Sequence, residues 1–137
     1  MTDGLSLTRA ELHLAIVDDE ELVRVALGRF GAALGMRVST YASGRALIDG
    51  LDESACAPDC LLLDAHMPDM TGLEILQQLV RRAVRFPTII YSADDEPESI
   101  GRYVEAGAVA YLRKPALADA LVDAITRAVD GARAGAR

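Results

Sequence analysis

Short apolar runs alternate with longer amphipathic stretches from one end of this 137-residue chain to the other. The short runs have the length and composition of buried β-strands, and the stretches between them have helical spacing. Strands that alternate with helices predict a parallel sheet with helices on both faces and right-handed crossovers. The predicted strands are 12–17, 36–41, 60–63, 88–91 and 109–112, and the predicted helices are 20–34, 43–50, 72–82, 97–106 and 115–129.

Three of the predicted helices have an apolar stripe that indicates the side facing the sheet. In the first helix the predicted inner positions are Leu22, Val25, Ala26, Arg29, Phe30 and Ala33; in the third they are Leu73, Leu76, Leu79 and Val80; in the fifth they are Leu117, Leu121, Val122, Ile125 and Val129. Ser43 is predicted to cap the second helix, which should end near Gly50.

The length and composition indicate one folded domain, because the hydrophobic fraction of 51% is too high for a disordered chain. We expect an extension over 1–11, a domain over 12–130 and a flexible tail over 131–137. No apolar stretch approaches the roughly 20 residues of a membrane span, and the amino terminus lacks the pattern of a secretory signal. A cytoplasmic domain is therefore expected.

The net charge of −7 argues against direct binding of nucleic acid, which requires clustered basic residues. Arg81, Arg82 and Arg85 do cluster, and two interpretations are open: a solvated helix end, where cations suit the helix dipole, or a binding patch. Cys56 and Cys60 lack the spacing and the further ligands of a zinc site, so both are interpreted as plain thiols.

Polar residues follow four of the five predicted strands. Asp18 and Asp19 follow the first, Asp64 the third, Ser92 the fourth, and Lys114 comes soon after the fifth. In an open parallel sheet the carboxyl ends of the strands form the binding edge, and the strand order 2-1-3-4-5 would bring the three carboxylates together. Such a cluster favours Mg²⁺. With an ammonium and a hydroxyl beside it, the edge is predicted to bind a phosphoryl group, and an aspartate there can act as a nucleophile.

Each of these residues also has a purely structural interpretation. Asp18 and Glu21 form a D-x-x-E pattern that can cap a helix, and Lys114-Pro115 can simply begin one. Asp64 and Ser92 are ordinary residues for the start of a loop. The functional interpretation rests on their combination at one edge.

Four separated motifs resemble the receiver domain of two-component response regulators. They are IVDDE at 16–20, LLLDAHMPDMTG at 61–72, IIYSA at 89–93 and GAVAYLRKP at 107–115. They occur in the family's order, and the resemblance extends from about Leu12 to Val129. It implies a CheY-like, flavodoxin-like (βα)5 domain, doubly wound, with the sheet order 2-1-3-4-5.

The resemblance implies the chemistry of the site. Asp64 would accept a phosphoryl group from a phosphohistidine of a histidine kinase or a phosphotransfer protein. Asp18, Asp19 and Asp64 would hold Mg²⁺ together with the backbone carbonyl of His66. Lys114 would pair with the bound phosphoryl group.

The resemblance also implies a switch. Ser92 would hydrogen-bond to the phosphoryl group, and Tyr111 would be the aromatic residue whose ring moves inward as Ser92 shifts. Pro115 often follows a cis bond in this family. His66 and Asp94 stand where side chains flank the route of the attacking water, so they are expected to tune the lifetime of the phosphate.

Two features leave alternatives open. Gly101 lies inside the fourth predicted helix, where glycine costs roughly 1 kcal/mol relative to alanine, so it either keeps that helix easy to remodel or makes a close packing contact. His13 is interpreted as a packed or edge residue of the first strand. A third position departs from the family's pattern: Ala116 replaces the bulky aromatic that is common after Lys-Pro, which weakens one packing contact.

The first functional hypothesis is a phosphorylation-controlled interaction module that acts through the surface of the fourth helix, fifth strand and fifth helix, where a homodimer can form. Such a module can be a stand-alone receiver, which we favour slightly, or part of a longer DNA-binding regulator. The alternative is an aspartyl phosphohydrolase, but those enzymes place a second Asp where this chain has His66. A nucleotide-binding domain is disfavoured because no Gly-rich loop follows the first strand.

Overall fold

The computed structural model describes residues 12–53, 57–94 and 96–135. Five strands form one parallel sheet in the order β2-β1-β3-β4-β5, which confirms the predicted topology. The strands are β1 His13–Val17, β2 Arg37–Tyr41, β3 Cys60–Asp64, β4 Thr88–Ser92 and β5 Ala110–Arg113. The helices are α1 Glu21–Ala33, α2 Gly44–Glu53, α3 Gly72–Arg81, α4 Pro97–Glu105 and α5 Ala118–Gly135.

The sheet separates two apolar layers. On one side Leu47 of α2, Ile75 of α3 and Tyr103 of α4 pack in one cluster. On the other side Leu27 of α1 and Leu121 of α5 pack in a second cluster. Because both faces of β3 and β4 are covered, every residue of these two strands is buried, which explains their continuous apolar sequences.

The predicted inner faces are partly wrong. In α1 the buried residues are Leu27 and Gly31, while Leu22 of the predicted stripe is 84% exposed. In α3 the predicted Leu76 and Leu79 are buried, but Val80 points outward and Ile75 takes its place in the core. In each case the helix offers apolar residues on more than one side, so spacing alone selects the face poorly.

The last helix differs from its prediction at both ends. It begins at Ala118 rather than at 115, so Leu117 precedes it and is exposed, whereas Leu121, Ile125 and Val129 are buried as expected. The helix continues to Gly135. The structure is therefore helical over 131–135 of the predicted tail.

Ser43 lies at the start of α2 as predicted, where its hydroxyl accepts the backbone N–H of Ala46 at 3.0 Å. The helix extends three residues beyond the predicted end at Gly50. Arg82 forms an ion pair with Asp52 of this helix, while both side chains stay partly exposed.

Cys60 is a buried free thiol, and burial raises its pKa to about 12. This agrees with the interpretation of a plain thiol, whereas Cys56 lies outside the described residues. None of the helices in the described part of the chain is long and apolar enough to cross a membrane.

His13 is a half-buried residue of β1 whose Nε2 lies 2.6 Å from the hydroxyl of Ser39 on the neighbouring strand β2. Burial lowers the pKa of His13, the charge of Arg37 lowers it further, and Asp59 opposes this in part. A folded-state pKa below the unfolded value near 6.5 means that the unfolded chain binds more protons. His13 therefore stabilises the fold above about pH 6.5, and this contribution is lost as the pH falls toward its folded-state pKa.

We expect the free energy of unfolding of His13→Gln to fall less between pH 7 and pH 5 than that of wild type. Urea denaturation at a series of pH values measures it. The exposed His66 is the matched control, since the chain has two histidines. If His13→Gln and His66→Gln changed the pH dependence of stability equally, His13 would not be the source of the acid sensitivity.

Candidate functional site

The carboxyl ends of the strands bring five predicted site residues to one edge of the sheet. Asp18 and Asp19 directly follow β1, and Asp64 ends the neighbouring strand β3. Ser92 ends β4, and Lys114 directly follows β5. The strand order therefore places side chains that lie up to 96 positions apart in the sequence within contact distance of one another.

Three carboxylates form the centre of this edge. Asp18, Asp19 and Asp64 each offer an oxygen within 4.8 Å of the others. Asp18 is 1% exposed and Asp64 is 5% exposed, whereas Asp19 faces solvent. Burial of like charges at this spacing is unfavourable unless cations approach them.

Lys114 is the cation that the protein itself supplies. Its Nζ lies 3.1 Å from Oδ2 of Asp18 and 3.4 Å from Oδ1 of Asp64. Burial opposes the charged ammonium, but the hydrogen bond to Asp18 and the charges of Asp64 and Asp18 outweigh it and raise the pKa of Lys114. The ammonium also lies 5.2 Å from the centre of the Tyr91 ring. Lys114 is thus held charged between the two buried carboxylates.

The ammonium does not fully neutralise the cluster. Burial raises the pKa of Asp64, and the Asp18 carboxylate raises it further. Lys114 and the backbone N–H of His66 oppose this shift without cancelling it. Three carboxylates and one ammonium leave a surplus of negative charge, and oxygen donors of this kind are the ligands that Mg²⁺ prefers. The donor set therefore fits a divalent cation.

Asp18 does not form the helix cap that its sequence also allowed. The N-cap residue of α1 is Glu20, which makes no side-chain capping bond. Oδ1 of Asp18 accepts the backbone N–H of Glu20 at 2.9 Å, and Oδ2 receives Lys114. Arg24 donates to the backbone carbonyl of Asp18 at 2.9 Å. These contacts fix the carboxylate at the sheet edge, and Asp18 is not the N-cap residue that the D-x-x-E pattern predicts.

Ser92 and Tyr111 meet at the loop between β4 and α4. Ser92 is fully buried, and its Oγ accepts the backbone N–H of Asp94 at 3.1 Å. The hydroxyl of half-buried Tyr111 donates to the backbone carbonyl of the same Asp94. The Tyr111 ring packs against the Tyr103 ring, with centroids 5.8 Å apart. The bond between Lys114 and Pro115 is cis, as the family resemblance implied.

Several residues that shape the edge were not predicted from the sequence. The carboxylate of Asp69 accepts the backbone N–H groups of Gly44 and Arg45 at the start of α2, across a separation of 24 or 25 positions. Tyr103 donates to the carbonyl of Ala65, the residue after Asp64. No local pattern marks these long-range contacts. The capping box of Thr71 and Glu74 does have a signal, the T-x-x-E spacing.

Comparisons with known proteins agree with this geometry. The family model for the response regulator receiver domain matches residues 14–126. Response regulator protein TmoT of Ectopseudomonas mendocina is 32% identical over 119 residues, which cover 87% of this chain and 53% of the relative. The DNA-binding transcriptional regulator NtrC of Klebsiella pneumoniae is 35% identical over 83% of this chain and 24% of its own length.

A solved structure has the same fold. The CheY-like receiver domain protein of Methanospirillum hungatei JF-1 superposes with a TM-score of 0.83 at 22% identity, covering 90% of this chain and 98% of that one. The chain thus spans nearly all of a receiver domain of known structure, but only about half the length of curated relatives such as TmoT.

Proposed function

Because the chain belongs to the family of response regulator receiver domains, we propose that it is a switch controlled by phosphorylation of Asp64. The observation that carries the proposal is the position of Asp64. Its carboxylate ends the central strand β3 beside two further aspartates, with the Lys114 ammonium at 3.4 Å. A nucleophilic carboxylate between positive charge and metal-binding oxygens is suited to phosphoryl transfer.

The donor is a phosphohistidine on a sensor histidine kinase or a phosphotransfer protein. An oxygen of Asp64 forms a bond to phosphorus while the bond between phosphorus and the imidazole nitrogen breaks, and the imidazole keeps the electron pair. Charge spreads over the phosphoryl oxygens during this step. Catalysis therefore depends on positioning the reacting groups and on neutralising that charge. Lys114 stands beside Asp64 for that purpose, and the Ser92 hydroxyl is available to donate to a phosphoryl oxygen.

Asp18, Asp19 and Asp64 would hold Mg²⁺, together with the backbone carbonyl of His66. The bound ion supplies further positive charge for the phosphoryl oxygens. The surplus of negative charge among the three carboxylates, two of which are buried, supports this assignment.

The output is a change of surface rather than turnover of a substrate. We place it on α4, β5 and α5, next to Tyr111, where a cytoplasmic partner or a second copy of the chain can bind. Val104 and Val109 on this part of the molecule are 54% and 55% exposed, which suits an interface. His66 stands two positions after Asp64 and leaves no second aspartate to act as general acid, which disfavours a phosphohydrolase.

A second candidate is the receiver part of a longer transcriptional regulator. It is favoured by one observation: the chain covers about half of TmoT and a quarter of NtrC, whose name identifies it as DNA-binding. In that case DNA would be bound by another part of the protein, since the domain described here is acidic.

Intact mass after incubation with acetyl phosphate tests the proposed function. We expect one phosphoryl group per wild-type chain in the presence of Mg²⁺, stable in acid and labile in base, and none in Asp64→Asn. Asp69→Asn is the matched control, because Asp69 also follows β3 but binds the backbone at the start of α2. Equal modification of wild type and Asp64→Asn would refute the assignment of Asp64.

A further inference from the structure

Helix α4 has few contacts of its own that hold it in place. It has nine residues, and Tyr103 is its one buried side chain. Its N-cap residue, Glu96, makes no side-chain capping bond. Gly101 lies in its middle, and a Cβ built there would meet no atom of the described residues within 4 Å, apart from its chain neighbours and the backbone of its own helix. This excludes the close packing contact considered for Gly101 and leaves a helix weakened by glycine.

The carboxylate of Asp94 provides the attachment that the N-cap lacks. Its Oδ1 accepts the backbone N–H of Glu96 at 2.9 Å, and its Oδ2 accepts the hydroxyl of Ser99 at 2.7 Å. Ser99 belongs to the first turn of α4, so Asp94 connects that turn to the end of β4. The hydrogen bond from Ser99 is also the main reason why the pKa of Asp94 is lowered.

The backbone of the same residue contacts both predicted switch groups. The N–H of Asp94 donates to Oγ of Ser92, and its carbonyl accepts the hydroxyl of Tyr111. Since Oγ of Ser92 acts as an acceptor here, its own proton remains available for a phosphoryl oxygen. Asp94 is therefore bonded at once to the phosphoryl-binding hydroxyl, the switch aromatic and the first turn of α4.

We propose that Asp94 is a positioning residue that transmits the state of Ser92 to α4 through the hydrogen bond between its carboxylate and the Ser99 hydroxyl. This proposal rests on the proposed function and specifies how the switch is regulated. Both carboxylate oxygens of Asp94 are bonded to the start of α4, which assigns this side chain to α4 rather than to the attacking water.

Amide hydrogen exchange before and after phosphorylation by acetyl phosphate and Mg²⁺ tests the proposal on Ser99→Ala. In the unphosphorylated variant we expect exchange in α4 to be about five-fold faster, the usual effect of losing a helix-capping contact. Phosphorylation of Asp64 should proceed as in wild type, while the change that it causes in α4 exchange should be lost. Gly101→Ala in the same variant should restore much of the protection of α4, because alanine favours the helix.

Two further variants sharpen the test. Ser43→Ala is the matched control: it removes the serine hydroxyl that caps α2, and it should accelerate exchange in α2 alone. Asp94→Ala combined with Ser99→Ala should exchange no faster in α4 than Asp94→Ala, because the Ser99 hydroxyl has already lost its carboxylate partner in Asp94→Ala. Additive effects, or a normal response of α4 to phosphorylation in Ser99→Ala, would overturn the proposal.

Two other outcomes separate this proposal from the other roles considered. If Asp94→Asn changes the lifetime of the phosphate and Ser99→Ala leaves both the lifetime and α4 unchanged, Asp94 acts on the attacking water and the proposal is wrong. If wild type is not phosphorylated at all, the proposed function fails. Exchange of α4 in the unphosphorylated variants then still decides whether Asp94 holds this helix.

Discussion

Lys114→Met is expected to slow phosphorylation of Asp64 by about 100-fold, the usual cost of losing one charge-stabilising donor in an active site. Methionine retains an aliphatic side chain but removes the ammonium that lies 3.1 Å from Asp18 and 3.4 Å from Asp64. The chain has no other lysine, so no second ammonium can replace it. The rate is measured as the appearance of phosphorylated protein by intact mass with excess acetyl phosphate and Mg²⁺.

The same substitution should also destabilise the fold in Mg²⁺-free buffer. Removing one partner of a buried ion pair leaves the other charge unpaired, which costs about 3 kcal/mol. Here two carboxylates that are 1% and 5% exposed lose their cation. Mg²⁺ should restore more stability to Lys114→Met than it adds to wild type, since the ion binds the same carboxylates. Urea denaturation with and without Mg²⁺ measures both effects.

Arg127→Met is the control for Lys114→Met. Arg127 pairs with Asp123 one turn away on α5, and its side chain is 81% exposed, so the loss should be about 0.5 kcal/mol or less. Phosphorylation of Arg127→Met should match that of wild type. A Lys114→Met protein that is phosphorylated at the wild-type rate would show that Lys114 serves only the stability of the carboxylate cluster.

The residues at the sheet edge could be predicted from the sequence because each depends on one strand. A polar residue directly after an apolar run must lie at the carboxyl end of that strand, wherever the loop goes next. The order of the strands then decides which ends meet, and the order 2-1-3-4-5 brings Asp64 beside Asp18. The positions therefore follow from topology, without knowledge of any loop.

The contacts of Asp69 and Asp94 could not be predicted in the same way. Asp69 binds the start of α2 from the loop after β3, and Asp94 turns its carboxylate toward Ser99. Each contact depends on the backbone path of a loop, and loops with the same sequence pattern can have different paths. Aspartate in a loop is common, so its sequence position carries no signal for its partner.

The inner face of α1 shows a second limit of sequence analysis. Apolar residues occur around much of this helix, and a spacing argument selects the side with the most of them. The side that packs on the sheet instead includes Gly31, where a Cβ would lie 2.8 Å from Val38 of β2. Glycine adds nothing to an apolar pattern, yet it allows the close approach of helix and strand. Leu22 and Val25, chosen for their spacing, remain on the surface.

Leu27→Ala is expected to lower the free energy of unfolding by about 3 kcal/mol, in the range measured for buried leucines. Leu27 is 7% exposed and belongs to the apolar cluster formed with Leu14, Ile16 and Leu121. Truncation removes its buried methyl groups and leaves a cavity that α1 and the sheet can close only in part. Urea denaturation measures the loss, and an unchanged slope with urea concentration would indicate that the unfolding reaction itself is the same.

Leu22→Ala is the matched control, because it makes the same substitution five positions earlier in the same helix. Leu22 is 84% exposed, so its truncation should change stability by about 0.5 kcal/mol or less. The two variants share any difference in helix propensity, and the contrast between them therefore reports burial alone. If Leu22→Ala were the more destabilising of the two, α1 would face the sheet with the side that its apolar spacing predicts. Helix α1 would then not approach β2 closely at Gly31 either, since Gly31 and Leu27 lie on the same side of the helix.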